Sequence, residues 1–172
     1  MKNILSNIAG ETLTFNQPDL MKRKFELTSS NGVLATMIFP KLFSNRVIVE
    51  GFDGKWEIKQ PSIWRREYGI YKMGYQMPFA KYISNFWRTK GTIELPKGIR
   101  LSCKAGQIKK PLEICTAKGE LLVYYSNKFA LKSRTTVTIE NRSELLEQYP
   151  WIIMLGWYVV LQNRRGRARA AG

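Results

Sequence analysis

Histidine is absent from the 172 residues. Its absence removes the usual general base, the Ser-His and Cys-His nucleophile pairs and the commonest metal ligand. Cysteine is scarce, with Cys103 and Cys115 the only two. Two cysteines make no secreted disulfide framework, and without histidine they cannot complete an ordinary structural zinc site. They read as buried cytosolic thiols, with a bridge across adjacent strands as the alternative. Acidic residues are also few: 13 Asp plus Glu stand against 28 Lys plus Arg, a net charge of +15. Glu67, Glu94, Glu113 and Glu120 are spaced singly along the chain, so no pair can be given acid and base roles. Neither a G-x-S-x-G elbow nor a phosphate-cradling glycine loop occurs. The expectation is a protein that is not an enzyme, with no catalytic residues, no metal and no cofactor. Residues 1 to 11 lack a continuous apolar stretch, so no signal peptide is expected. The expected compartment is the cytoplasm, with the inner membrane surface as an extension of it.

What the chain does have is a long series of short alternating segments. Thr12–Phe15, Arg23–Thr28, Val33–Phe39, Arg46–Glu50 and Lys55–Lys59 each alternate apolar and polar residues, the pattern of a half-buried strand. Further short runs follow at 63–68, 70–73, 80–87, 92–95, 99–103, 112–116, 120–125, 129–131 and 135–139. Asn31-Gly32, Asp53-Gly54 and Lys118-Gly119 mark tight turns, because these residues tolerate positive φ. Trp56, between Lys55 and Glu57, reads as pointing inward. No stretch between residues 12 and 140 has helical periodicity. Roughly eleven to thirteen strands of about five residues make a β-meander with short turns, which favours a closed or up-and-down sheet.

One segment breaks the pattern. Tyr149 to Leu161 carries no charge and no side-chain amide, and its apolar residues fall on every face. As a helix it spans ~20 Å, short of the about 20 residues that a bilayer crossing needs. A helix that is apolar all round is enclosed on all sides. A wall of five- or six-residue strands is ~17–20 Å tall, which matches it. Asn141 and Glu144 form a helix start, and Pro150 predicts two helical pieces with the longer one opening there. Gly156, costing ~1 kcal/mol in a helix interior, points to close approach of a strand.

The hairpin Phe25-Glu-Leu-Thr-Ser-Ser-Asn-Gly-Val-Leu-Ala35 resembles the strand, polar-Gly turn, strand units of the tubby C-terminal-like superfamily. Gly51-Phe-Asp-Gly-Lys-Trp56 and Lys118-Gly-Glu-Leu-Leu122 look like further copies. Tyr149 to Leu161, followed by arginines, is similar to the central helix of that fold. The superfamily includes the tubby proteins, the phospholipid scramblases and the plant LURP-one-related proteins. The resemblance implies a mainly β chain, a closed and roughly twelve-stranded antiparallel β-barrel enclosing a C-terminal hydrophobic α-helix. One domain is expected at residues 1–163, with the helix at about 142–162, and the arginine run predicts a basic disordered tail at 164–172. Tubby proteins bind phosphoinositides through basic residues, so the resemblance also implies an anionic lipid ligand. The acidic calcium-binding segment of scramblases has no counterpart here.

Charge gives the same direction. An excess of this size is relieved by an anionic surface, most often phosphates on lipid or nucleic acid. The candidate ligand residues are Lys22, Arg23 and Lys24, then Arg65 and Arg66, then Lys109 and Lys110, with Arg164, Arg165, Arg167 and Arg169 as non-specific attraction. Neighbouring cations can grip one phosphate with charge-assisted hydrogen bonds, arginine in bidentate fashion. The first expectation is a barrel that binds phospholipid headgroups at the cytoplasmic membrane surface. The alternatives are a single-stranded nucleic-acid binder, whose aromatic residues would stack on bases, and a membrane protein with a short tail anchor.

Overall fold

Alternation of apolar and polar residues builds the wall. The computed structural model describes residues 10–18, 23–41, 45–62, 64–106, 110–128, 134–141 and 143–170. Its strands are β1 (Thr12–Asn16), β2 (Lys24–Ser29), β3 (Gly32–Ile38), β4 (Arg46–Gly51), β5 (Gly54–Lys59) and β6 (Glu67–Lys72). They continue with β7 (Ala80–Ser84), β8 (Lys90–Glu94), β9 (Arg100–Lys104), β10 (Leu112–Thr116), β11 (Leu121–Lys128) and β12 (Arg134–Ile139). Each strand pairs antiparallel with the next, and β1 pairs with both β2 and β12, so the sheet closes into a barrel with no free edge. Inward positions such as Leu13, Leu27, Val47, Ile58, Ile70, Ile93, Leu101, Ile114 and Val137 are almost completely buried. Trp56 lies opposite Val49, two residues from Ile58, and packs on this core as expected.

The turn after β4 differs slightly from its sequence reading. Phe52 and Asp53 occupy its centre, both with positive φ (50° and 59°), while Gly51 pairs with Gly54. Two successive left-handed residues make the hairpin turn whose twist suits the flanking strands. The two cysteines are free and buried. Cys103 lies opposite Ile114, and Cys115 lies opposite Ser102. Alternation therefore aims the two thiols at opposite faces of the wall, which excludes a bridge.

Two helices follow the strands, α1 (Glu144–Gln148) and α2 (Trp151–Ala170). Pro150 separates them, as the sequence requires. Ten successive residues, Trp151–Val160, are buried. Burying a large side chain contributes about 1.5–3 kcal/mol, and this segment fills the barrel interior. Among the described residues no helix is long and apolar enough to cross a membrane. The segment that the sequence offered as a short anchor is packed in the core cluster with the inward-facing strand residues.

Two sequence expectations need correction. Asn141 is not the helix cap; its side-chain amide donates to Leu121 O at 3.2 Å, and Ser143 holds the N-cap position. The basic segment from Arg164 onward is also not a disordered tail, since α2 continues through it to Ala170. The strand expected at 129–131 lies outside the described residues.

Candidate anion-binding face

In an antiparallel meander, every connection leading into an even-numbered strand lies at the same end of the barrel. The turns before β2, β4, β6, β8, β10 and β12 thus share one mouth. The last turns of α2 emerge there. Tyr158 donates to Asn45 O before β4 at 3.4 Å, and Arg167 donates to Gly106 O after β9 at 3.4 Å. The other end holds Trp151, edge-on to Phe79 just before β7 at 5.6 Å.

This parity sorts charge. Among the described residues, the connections at the α2 mouth carry Arg23, Lys41, Arg65, Arg66, Arg88 and Lys110 and no Asp or Glu. The opposite end carries Glu50, Asp53, Glu94, Glu120 and Glu140, with Glu144 and Glu147 in α1, beside Lys55, Lys72, Lys97, Arg100 and Lys118, of which Lys55 pairs with Glu50 and Arg100 with Glu94. The two ends lie roughly 20 Å apart, about two Debye lengths at 0.1 M salt. The acids therefore do little to neutralise the field at the basic mouth.

The helix arginines are partly committed to the fold. Arg164 is half-buried, lies over the Trp157 ring at 5.1 Å, and donates to Asn127 Oδ1 and to Thr135 Oγ1 (2.8 Å). Burial pulls its pKa down from the ordinary arginine value. Arg165 packs over the Phe39 ring at 4.7 Å. Cations in the last turns of a helix also offset the negative end of its dipole.

The cations on the neighbouring turns are differently placed. A small cleft opens between α2 and the inner wall of β6 and β7. It is lined by Arg66, Arg88, Tyr68, Tyr82, Ser84, Val159, Gln162 and Asn163. Arg66 sits two residues before inward-facing Tyr68, so its guanidinium stands at the rim over the Phe86 ring at 4.3 Å. It also donates weakly to Asn85 O at 3.4 Å. Arg88 reaches across to Gly166 of α2; an added Cβ there would lie 2.5 Å from its Nη1. Burial raises the Tyr68 pKa, and the charges of Arg88 and Arg66 oppose that rise. Both guanidinium groups therefore act on one hydroxyl. Burial likewise raises Tyr82, which keeps both phenols neutral as hydrogen-bond donors. The enclosed space is only about 10 Å³, room for about one water, so an anion would meet the Arg66 and Arg88 guanidinium groups at the rim of the cleft, not inside it.

The described sequence-predicted cations fall on the same mouth but in unlike settings. Arg65 is exposed and Arg66 enters the cleft. Arg23 is half-buried in a left-handed turn conformation, φ 47°. Lys24 pairs with Glu26 at 2.8 Å. Lys110 is exposed at the start of β10, away from the cleft. Lys22 and Lys109 lie outside the described residues. Sequence reading missed Arg88, Gln162 and Asn163. Strand parity was the signal for Arg88, because the 85–89 turn enters an even-numbered strand. No local pattern marked the two amides, which belong to the site only through the path of α2.

No family model matches the chain, and no curated protein matches it in sequence. The fold has a solved counterpart. It is the X-ray structure of a protein from Arabidopsis thaliana, with a TM-score of 0.63 over 91% of this chain and 93% of that one. Identity is 13%, so the likeness concerns the fold.

Proposed function

We propose that this is a non-enzymatic barrel of the tubby type that binds anionic phospholipid headgroups at the cytoplasmic membrane surface. The observation that carries the reading is the gathering of cations at one mouth, whose described connections hold no acid, around a cleft lined by Arg66 and Arg88. The field of that mouth draws the protein to a negative surface, and the Arg66 and Arg88 guanidinium groups at the rim of the cleft grip one phosphate. An arginine-to-phosphate hydrogen bond contributes about 1.5–3 kcal/mol, so losing both guanidinium groups lowers affinity at least about tenfold.

Sedimentation of the full chain with phosphatidylcholine vesicles, with and without phosphatidylserine, provides the test. The protein is expected to pellet only with the anionic vesicles, and the R66Q/R88Q variant to pellet markedly less. No pelleting with anionic vesicles at low salt removes the proposal. The second reading, a single-stranded nucleic-acid binder, draws support from Trp64, Phe86 and Trp87, which are exposed at the same mouth. Retention of an oligonucleotide on a filter, without vesicle binding, is the result that favours it.

A further inference from the structure

Trp64, Phe86 and Trp87 are 87%, 69% and 77% exposed. Large rings standing in water on adjacent turns need an occupant, because scattered single exposures are ordinary but clustered ones mark contact sites. Both turns are internally held. In the β7–β8 turn, Asn85 Oδ1 accepts from Thr89 N at 2.9 Å and Lys90 N at 3.1 Å, and Asn85 O accepts from Arg88 N at 3.1 Å. In the β5–β6 turn, Ser62 O accepts from Arg65 N at 3.2 Å, and Gln60 Nε2 donates to Arg65 O at 2.7 Å. Ser84 N donates to Arg66 O at 2.9 Å, and Arg66 lies over Phe86, so the two turns are stitched together. Phe86 and Trp87 meet edge to face at 5.0 Å.

The rings are flanked by Arg65, Arg66, Arg88 and Lys90, and no acid lies in either turn. This alternation of cations and aromatic rings complements the boundary layer of an anionic bilayer. Aromatic rings settle among the headgroups there, and the cations meet phosphates. We infer that these two turns form a preformed aromatic anchor that inserts into the interface of an anionic phospholipid bilayer, with the α2 mouth facing the membrane. The inference rests on the phospholipid reading above and adds a contact mode and an orientation to it. Insertion gives the binding a component that salt does not screen, in contrast to the Coulombic attraction of the mouth. The exposed side chains Tyr75 and Met77 lie in the β6–β7 connection, at the acidic end, and are expected to stay in water.

The experiment uses the full chain and phosphatidylcholine vesicles containing phosphatidylserine, some with brominated acyl chains. Tryptophan emission of the parent is expected to be quenched by the brominated vesicles. Trp64→Phe/Trp87→Phe keeps binding and loses most of the quenching. Trp64→Ala/Phe86→Ala/Trp87→Ala, a change at exposed positions, lowers partitioning about tenfold or more and makes the residual binding fully salt-labile. Tyr75→Ala/Met77→Ala leaves partitioning unchanged. Pelleting of the parent without quenching, and with the triple variant equal to the parent, overturns the anchor while leaving headgroup binding intact. Dependence on Tyr75 and Met77 instead overturns the orientation. Failure of the parent to pellet, combined with aromatic-dependent oligonucleotide binding, overturns the anchor and the phospholipid reading together.

Discussion

Gly156 faces Tyr125 in the middle of the barrel. A Cβ on residue 156 would lie 2.1 Å from the tyrosine Oη and 2.5 Å from Cζ. The Tyr125 hydroxyl donates to Ile153 O at 2.6 Å, and the residue is completely buried, so the ring has nowhere to retreat. Overpacking a tight core costs roughly 1–3 kcal/mol, and Gly156→Ala should lie at or above the upper end in a urea titration. Tyr125→Phe alone should cost about 1 kcal/mol, the worth of an ordinary hydrogen bond. In the double variant the hydroxyl clash is gone but the ring carbons stay close. Partial rescue in a double-mutant cycle is therefore expected, and full additivity of the two changes would contradict this contact. The sequence pointed to a close strand approach here; it held no indication that the partner was Tyr125.

At the scale of the element, α2 is secured by its apolar first half and latched by its basic second half. Asn127 and Thr135 are cross-strand neighbours facing inward at the rim, where the lining of the wall turns from apolar to polar. Thr135 Oγ1 donates to Asn127 Oδ1 at 2.7 Å, and Arg164 donates to both. Arg164→Ala should thus lower global stability by about 1–2 kcal/mol. Amide hydrogen exchange should rise first in the turns after Leu161. Vesicle binding should stay near the parental value, because Arg164 points into the rim and not into the cleft. An equal loss of binding and of stability would show that the latch and the ligand site are one. Read as a run of arginines, residues 164–169 look like solvated disorder; Asn127 and Thr135, far away in sequence, are what make them a helix end.

For the whole molecule, stability should fall on the alkaline side. There is no histidine. Burial raises Tyr68, Tyr82, Tyr125 and Tyr158 above the ordinary value of 10.0, and Cys103 above 9.0. Each of these groups is neutral when protonated, and the folded state holds its proton more tightly than the unfolded chain does. Their stabilising contribution is complete below the unfolded values, and is lost as pH climbs from those values toward the folded ones. Stability should therefore be flat between about pH 6 and 8 and then decline above about pH 9, by roughly 1.4 kcal/mol per pH unit for each titrating group. Urea midpoints measured across that range check the profile. A steep change between pH 6 and 7 would contradict it. The segregation of charge also belongs to this scale, since it arises from the alternation of turns along a closed meander.

The strands, their approximate number, the break at Pro150 and the enclosure of Trp151–Val160 could all be read from the chain, because alternation, turn chemistry and an all-round apolar segment are local patterns with few physical solutions. Closure gave those patterns a common geometry. It brought β1 beside β12, aligned the even-numbered entrances at one mouth, and set Arg66 and Arg88 on either side of a cleft completed by Gln162 and Asn163. Such neighbours lie many residues apart, and no local periodicity encodes their distance in space.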